Sequence, residues 1–182
     1  MNVMRGMTAS AAMAAGIALA GCYETAGEVV DRGVEIPVAA GTYRCVNVKD
    51  REPSTATVSA PARPIADDVV YLATIDKDRY AVRVAAMSGD LYLLEGRGNF
   101  RGAQHIFVQR LGPDSFALLV ADTRSAESKQ RLDTLARAQG LAIEMPAYGA
   151  PRINGPRDRQ RAFLLVHTAA MLERTADCRR VP

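Results

Sequence analysis

The stretch "RYAVRVAAMSGDLYLLEG", Arg79 to Gly96, contains two apolar-rich runs separated by a short polar turn. In the first run Tyr80, Val82 and Val84 share one face, while Arg83 lies on the opposite face. Alternation with a period of two is typical of a β-strand with one buried side, and Ser-Gly-Asp is typical of a hairpin turn. The stretch therefore predicts an antiparallel hairpin.

Similar runs lie on both sides of this hairpin. "VVYLATI", residues 69–75, precedes it, and "QHIFVQRL", residues 104–111, and "SFALLVAD", residues 115–122, follow it. Together these runs predict a meander of about five strands. The segments "GTYRCVNV", residues 41–48, and "LAIEM", residues 141–145, are further strand candidates.

Two helices are expected after the meander. The first spans Ala126 to Gln139, because Ser125 is a good N-cap residue and Gly140 a good C-terminal stop. The second begins near Pro156 and extends to about residue 175, and its run "AFLLVHTAAML" is apolar on most sides and should be buried. We therefore predict an α+β fold, an antiparallel meander sheet of about six strands with two C-terminal helices packed on one face.

The N-terminal segment has the layout of an export signal. Arg5 precedes an apolar run, Ala9 to Ala20. This run would reach about 18 Å as a helix, which is shorter than the ~30 Å hydrocarbon core of a bilayer. The segment therefore predicts export rather than a membrane span.

The quartet Leu19-Ala20-Gly21-Cys22 resembles the lipobox of bacterial lipoproteins. The resemblance implies that the Cys22 thiol carries a diacylglyceryl group, that the chain is cut before it, and that the new amine is acylated. Tyr23, where an aspartate would favour the inner membrane, implies the outer membrane. The expected organisation is a signal peptide at 1–21, a tether at 22–40 and a single globular α+β domain at 41–182. The alternatives are a plain secretory signal that happens to precede a cysteine, and a buried helix.

The composition limits the classes of partner and cofactor. The net charge is +3 and becomes +2 without residues 1–21, which gives no support for nucleic-acid binding. HExxH, CxxC and EF-hand spacings do not occur in the sequence. We expect no metal, no other cofactor and no nucleic-acid partner.

Two cysteines remain besides Cys22. An oxidising compartment favours a disulfide between Cys45 and Cys178, and two unpaired buried thiols are the alternative.

Four arginines are concentrated around the start of the second predicted helix, where the helix dipole disfavours cations. They are Arg152, Arg157, Arg159 and Arg161. One interpretation is an anion-binding site for phosphate, carboxylate or a lipid headgroup. The alternative is that Asp158 and other acids pair with these arginines on a solvated face.

The two histidines are the candidates for catalysis. A small hydrolase would need His105 beside an acid and a serine, for which Ser88, Asp90 and Glu95 are available nearby in the sequence. His167 lies within an apolar segment and is expected to be a hydrogen-bonded core residue.

Scattered motifs resemble the lipoprotein inhibitors of c-type lysozyme. They are "YRC" at Tyr43 to Cys45, "SGDLY" at Ser88 to Tyr92, "RGA" at Arg101 to Ala103, and the late Cys178. The resemblance implies that Ser88 enters the lysozyme cleft. Arg101 stands where the family has a lysine, and the tryptophan before that lysine is missing.

These observations predict a lipid-anchored envelope protein with a non-enzymatic structural or binding role. Its expected contacts are the membrane, through the anchor, and an envelope protein or anionic lipid. An inhibitor of c-type lysozyme and a small hydrolase are the alternative functions.

Overall fold

The computed structural model of the protein describes residues 22–65, 67–75, 77–98, 102–123, 125–146 and 150–182. The expected signal peptide at 1–21, with Leu19, Ala20 and Gly21 of the lipobox, lies outside the described residues. The elements are β1 Tyr23–Thr25, β2 Gly41–Asn47, β3 Pro53–Val58, β4 Ala62–Ile65, β5 Asp68–Ile75, β6 Asp78–Ala86, β7 Leu91–Arg97, β8 Ala103–Gly112, β9 Ser115–Ala121, α1 Ala126–Ala138, β10 Ala142–Glu144, β11 Arg152–Asn154, α2 Arg157–Leu165, a 3₁₀ turn Ala169–Met171 and β12 Leu172–Arg180.

Eight of these strands form a closed antiparallel barrel. Their order around the barrel is β2, β3, β5, β6, β7, β8, β9 and β12, and β12 pairs again with β2. At this closing pair Cys178 lies opposite Cys45, and the two residues form a disulfide. The predicted disulfide is therefore confirmed, and it joins the first and last strands of the barrel.

The predicted α+β fold, an antiparallel meander sheet of about six strands with two C-terminal helices packed on one face, is wrong, because the sheet closes into an eight-stranded barrel. The strands β5 to β9 follow one another in the sheet, close to the predicted ranges. However, the second helix ends at Leu165, not near residue 175, and Leu172–Arg180 is the strand that closes the barrel. His167 explains the early end, because its Nδ1–H donates to the Phe163 carbonyl at 2.9 Å. A continuing helix would use that carbonyl for its own backbone.

Two apolar clusters stabilise the fold on either side of the barrel wall. Tyr80, Val82 and Val84 of β6 point inward and belong to the interior cluster. The outer cluster lies between β7 to β9 and the helices, where Leu132 of α1 and Phe163 of α2 are buried. None of the helices in the described ranges is long and apolar enough to cross a bilayer.

Residues 22–40, the expected tether, contain a strand and buried side chains that pack on the barrel. Strand β1 pairs antiparallel with β8, where Tyr23 lies opposite His105, and parallel with β11. Tyr23, Val29 and Val30 are almost completely buried. The segment has few apolar residues and no periodic pattern, so the sequence does not indicate that it is packed. Each of these residues packs into a core that is formed mainly by distant elements.

Residues 26–34, here called the strap, cross the outside of the barrel. Two of its amides, Val29 N and Val30 N, donate to the Glu95 carboxylate at 2.5 and 3.0 Å. At its end, Gly33 N donates to Asp68 Oδ1 at 2.8 Å. A Cβ at Gly33 would lie 1.9 Å from the Val69 carbonyl oxygen, so this close approach requires glycine.

Candidate binding cavity

One end of the barrel interior is filled by aromatic side chains and by the segment before β2. Ile36 and Tyr43 are buried in the interior cluster with Tyr71. Ile36 N donates to the Tyr71 hydroxyl at 3.0 Å, and the Tyr43 hydroxyl donates to the Ala39 carbonyl at 2.5 Å. These contacts close the end of the barrel at which β2 begins.

Toward the other end the interior contains a cavity of about 280 Å³. Because alternate residues of each strand point inward, side chains from most of the barrel strands form its wall. The apolar part of the wall includes Val58, Ala73, Ile75, Val82, Leu94 and Leu118. The cavity is thus a largely apolar space inside a hydrogen-bonded barrel wall.

Small residues in β7 and its C-terminal turn make room for a large ring on β6. A Cβ at Gly98 would lie 3.2 Å from Cε1 of Tyr80 and 3.2 Å from the Arg79 carbonyl oxygen. A Cβ at Gly96 would contact the same ring at 3.6 Å. The glycines therefore allow the Tyr80 ring to lie close against the neighbouring backbone.

Polar groups of the cavity wall include Ser54, Asp78, Tyr80 and Gln104. Burial raises the pKa of the Tyr80 hydroxyl, and the neighbouring Asp78 and Cys22 raise it further. Asp78 begins β6 and is exposed, so it marks the end of the cavity that is nearest to solvent. A ligand with an apolar body and a polar end would match this distribution of groups.

Cys22 is part of the cavity wall. It directly precedes β1, and its side chain is only 2% exposed. Tyr23, the next residue, points to the outer cluster, where its ring packs against Phe163 and His167. Because successive side chains of an extended chain point to opposite sides, Cys22 faces the barrel interior. Burial raises the pKa of its thiol to about 12.

The His105 side chain lies beside Thr25 and Glu95. The Thr25 hydroxyl donates to the Gly27 carbonyl at 2.6 Å and lies 2.7 Å from His105 Nε2. Since the single hydroxyl proton is already used, Nε2–H must donate to Thr25 Oγ1. His105 therefore cannot take a proton from Thr25 through Nε2.

The other nitrogen of His105 has no hydrogen-bond partner among the described residues. Nδ1 lies 3.9 Å from Glu95 Oε2, and both side chains are almost completely buried. Burial lowers the pKa of His105 to about 3 and raises the pKa of Glu95. Ser88 lies in the turn between β6 and β7, whereas Glu95 lies near the opposite end of β7. Ser88 is therefore not a neighbour of the His105 and Glu95 pair.

His167 is a core residue, as its apolar neighbours in the sequence suggest. Its Nδ1–H donates to Phe163, which leaves Nε2 to accept from the Tyr23 hydroxyl at 3.3 Å. Burial lowers the pKa of His167 to about 4. The imidazole thus joins the end of α2 to strand β1.

The four arginines near α2 do not converge on an empty anion site. Arg157 Nη2 lies 2.6 Å from Asp31 Oδ1, and Arg161 contacts the other oxygen of the same carboxylate. Arg152 Nε lies 3.4 Å from Glu24 Oε2. Three of the arginines therefore pair with acids of the N-terminal segment, as the alternative interpretation proposed, although Asp158 is not the partner.

Arg159 is the fourth of these arginines. A Cβ built at Gly140 would lie 2.3 Å from its Nη1, so its guanidinium group lies beside the end of α1. Its neighbour thus differs from that of Arg157 and Arg161, which both contact Asp31.

The motifs that resemble lysozyme inhibitors lie at opposite ends of a hairpin. Ser88 is in the turn between β6 and β7, whereas Ala103 begins β8 after the next turn. Strand β7 separates the two turns, and its seven residues span about 23 Å. Arg101 lies outside the described residues. The structure therefore does not bring Ser88 and Ala103, the last residue of the "RGA" motif, to one surface.

The cavity was missed by the sequence analysis, although the sequence contains a signal for it. Ala56, Ala73 and Gly96 are inward positions at which the alternating pattern has a small residue. Small residues on several inward faces leave space only if the sheet closes on itself. In an open sheet covered by helices, small residues at these positions do not predict a cavity.

In the described part of the chain, no group of three or more His, Cys, Asp or Glu side chains could hold a metal ion. Comparison of the chain with protein-family models, with curated proteins and with solved structures finds no match.

Proposed function

We propose that this protein is a lipid-anchored protein of the bacterial envelope with a non-enzymatic binding role, and that its barrel cavity receives an apolar chain. The observation that carries the binding role is the apolar cavity inside a closed barrel. Apolar ligands gain about 25 cal/mol for each Å² removed from water, so an enclosed apolar wall favours them without any specific polar contact.

The location in the envelope is supported by the lipobox-like quartet that ends at Cys22. In the lipoprotein class a phospholipid donates the diacylglyceryl group: a sulfur–carbon bond forms, the bond to the headgroup phosphate breaks, and the thiol proton is released. Two or more acyl chains give a durable anchor, whereas one chain gives marginal binding. Tyr23 in place of aspartate favours the outer membrane.

A binding role is preferred over hydrolysis because the buried imidazole is not placed as a base. Ile106 and Val108 of β8 alternate with Phe107 of the outer cluster, and His105 borders the cavity at its β8 end. The cavity wall therefore offers mainly apolar contact, and the His105 nitrogens face Thr25 and Glu95.

The anchor is tested by mass spectrometry of the protein isolated from its native envelope. We expect a chain that begins at Cys22 and carries the mass of a diacylglyceryl group and an amide-linked acyl chain. An unmodified residue 22, or the full chain in the cytosol, would contradict the proposed location.

The cavity is tested with a palmitic acid that carries a photoreactive diazirine in mid-chain. The full chain is made without acyltransferases, mixed with this probe in water and irradiated, and the crosslinked residues are mapped. We expect crosslinks to the wall, for example to Leu94 and Leu118. Ala73→Phe fills the cavity and should abolish them, whereas Leu72→Phe, on the outward face of the same strand, should not. Crosslinks confined to the outer surface would reject the binding role.

A further inference from the structure

We infer that the occupant of the barrel cavity is an acyl chain attached to Cys22 itself, so that the anchor point and the binding site are one site. This inference rests on the proposed function, because it requires a lipid on Cys22. The ligand is then covalently part of the protein.

The position of the sulfur is the first step. Cys22 lies in the wall of the cavity and is almost completely buried. A substituent on Sγ must extend into the space that the side chain faces. That space is the apolar cavity between Tyr80, Leu94 and Ile106.

The second step is that the cysteine is held in place on both sides. Strand β1 pairs with β8 and with β11, and Glu24 N donates to the Pro151 carbonyl at 2.8 Å. Tyr23 and Thr25 are buried on the outer face of the wall. For Sγ to point away from the barrel, β1 would have to leave two strands and expose these side chains to water.

The third step is the fit of the cavity to its occupant. At about 280 Å³ the cavity is close to the lower limit of the roughly 300–1,000 Å³ found for small-ligand sites, so it suits one chain rather than several. The chain would lie among aliphatic and small side chains, while Ser54, Asp78 and Gln104 would face its polar glyceryl end. The remaining chains on Cys22 would stay in the bilayer.

The order of events follows from the same geometry. The thiol is enclosed in the folded barrel and its pKa is raised, so the reactive thiolate is scarce there. Acylation must therefore precede the docking of β1, and folding then encloses the chain. The end of the barrel near Asp78 faces the membrane in this arrangement, because the other chains leave the cavity there.

The direct test places the photoreactive group on the anchor itself. Cells are supplied with the diazirine fatty acid, and the acylated protein is purified in detergent and irradiated. We expect most of the protein-bound crosslinks at wall residues such as Val58, Leu94, Ile106 and Leu118. Crosslinks only to detergent, lipid or outward residues such as Leu72 would overturn the inference.

A second measurement needs no variant and separates this inference from the proposed function. The acylated and non-acylated full chains are compared in the same detergent for crosslinking to the free diazirine fatty acid. We expect at least a tenfold lower yield at the wall of the acylated form, because its cavity is occupied. Equal yields would overturn the inference while leaving the binding role intact. No wall crosslinks in the non-acylated chain would overturn the binding role.

Discussion

At the scale of single residues, the two buried histidines make the fold sensitive to acid. Burial lowers the pKa from 6.5 to about 3 for His105 and to about 4 for His167. Between pH 6.5 and about 4 the unfolded chain therefore binds protons at these residues and the folded chain does not. Stability must fall as the pH falls through this window, by up to about 1.4 kcal/mol per pH unit for each histidine.

This prediction is checked by urea unfolding at several pH values between 7 and 4.5. His167→Gln should reduce the dependence of the free energy of unfolding on pH, because one of the two depressed groups is removed. Glu95 contributes with the opposite sign, since burial raises its folded pKa above the unfolded value. An unchanged pH dependence in His167→Gln would show that this histidine is protonated in the folded state.

The role of His167 was only partly visible in the sequence. Its apolar neighbours indicated a core position, which the structure bears out at 1% exposure. The bond from Nδ1 to Phe163 could not be predicted, because the same neighbours are equally compatible with a continuous helix. The strand pairing of β12 with β2 and β9, which local patterns do not reveal, accompanies the short helix.

At the scale of elements, the strap depends on a single buried carboxylate. Glu95 accepts hydrogen bonds from Val29 N and Val30 N, and its side chain is only 1% exposed. In Glu95→Leu these two amides would stay buried without an acceptor, which costs about 1–3 kcal/mol for each. We expect a loss on the order of 2–4 kcal/mol, with faster hydrogen exchange at both amides.

Two variants provide the comparison for this prediction. Glu95→Gln keeps one carbonyl oxygen as an acceptor and should lose much less stability than Glu95→Leu. Glu127→Leu, on the exposed face of α1, removes only a surface pair with Arg131 and should change stability by less than about 1 kcal/mol. Equal losses in Glu95→Leu and Glu127→Leu would mean that the strap is held by its apolar side chains alone.

The elements differed in how well the sequence predicted them. The helix α1 begins after Ser125, whose hydroxyl accepts from Ser128 N at 3.0 Å, so the predicted cap is present. The strand β12 was hidden because only Ala176 and Cys178 in it are buried, and charged residues fill most of its other positions. When the buried face of a strand consists of only two small residues, the sequence shows no clear alternation of apolar and polar residues.

At the scale of the whole molecule, closure of the barrel was beyond the reach of local patterns. Period-two alternation shows that a strand has an inner face, but an open sheet covered by helices and a closed barrel share this property. Closure depends on the pairing of β2 with β12, whose residues are separated by most of the chain. The cavity and the inward position of Cys22 follow from closure, so the small inward residues could not be interpreted before closure was known.

The disulfide at the closing pair gives a prediction for the whole fold. Cys45 and Cys178 are 133 residues apart. A disulfide that closes so large a loop lowers the entropy of the unfolded chain, which stabilises the folded state by roughly 3–5 kcal/mol. The double variant Cys45→Ala/Cys178→Ala should therefore lose about that much free energy of unfolding in urea. Cys22→Ala leaves the bridge intact and serves as the control. If the double variant kept the full stability of the parent, the strand pairing alone would close the barrel.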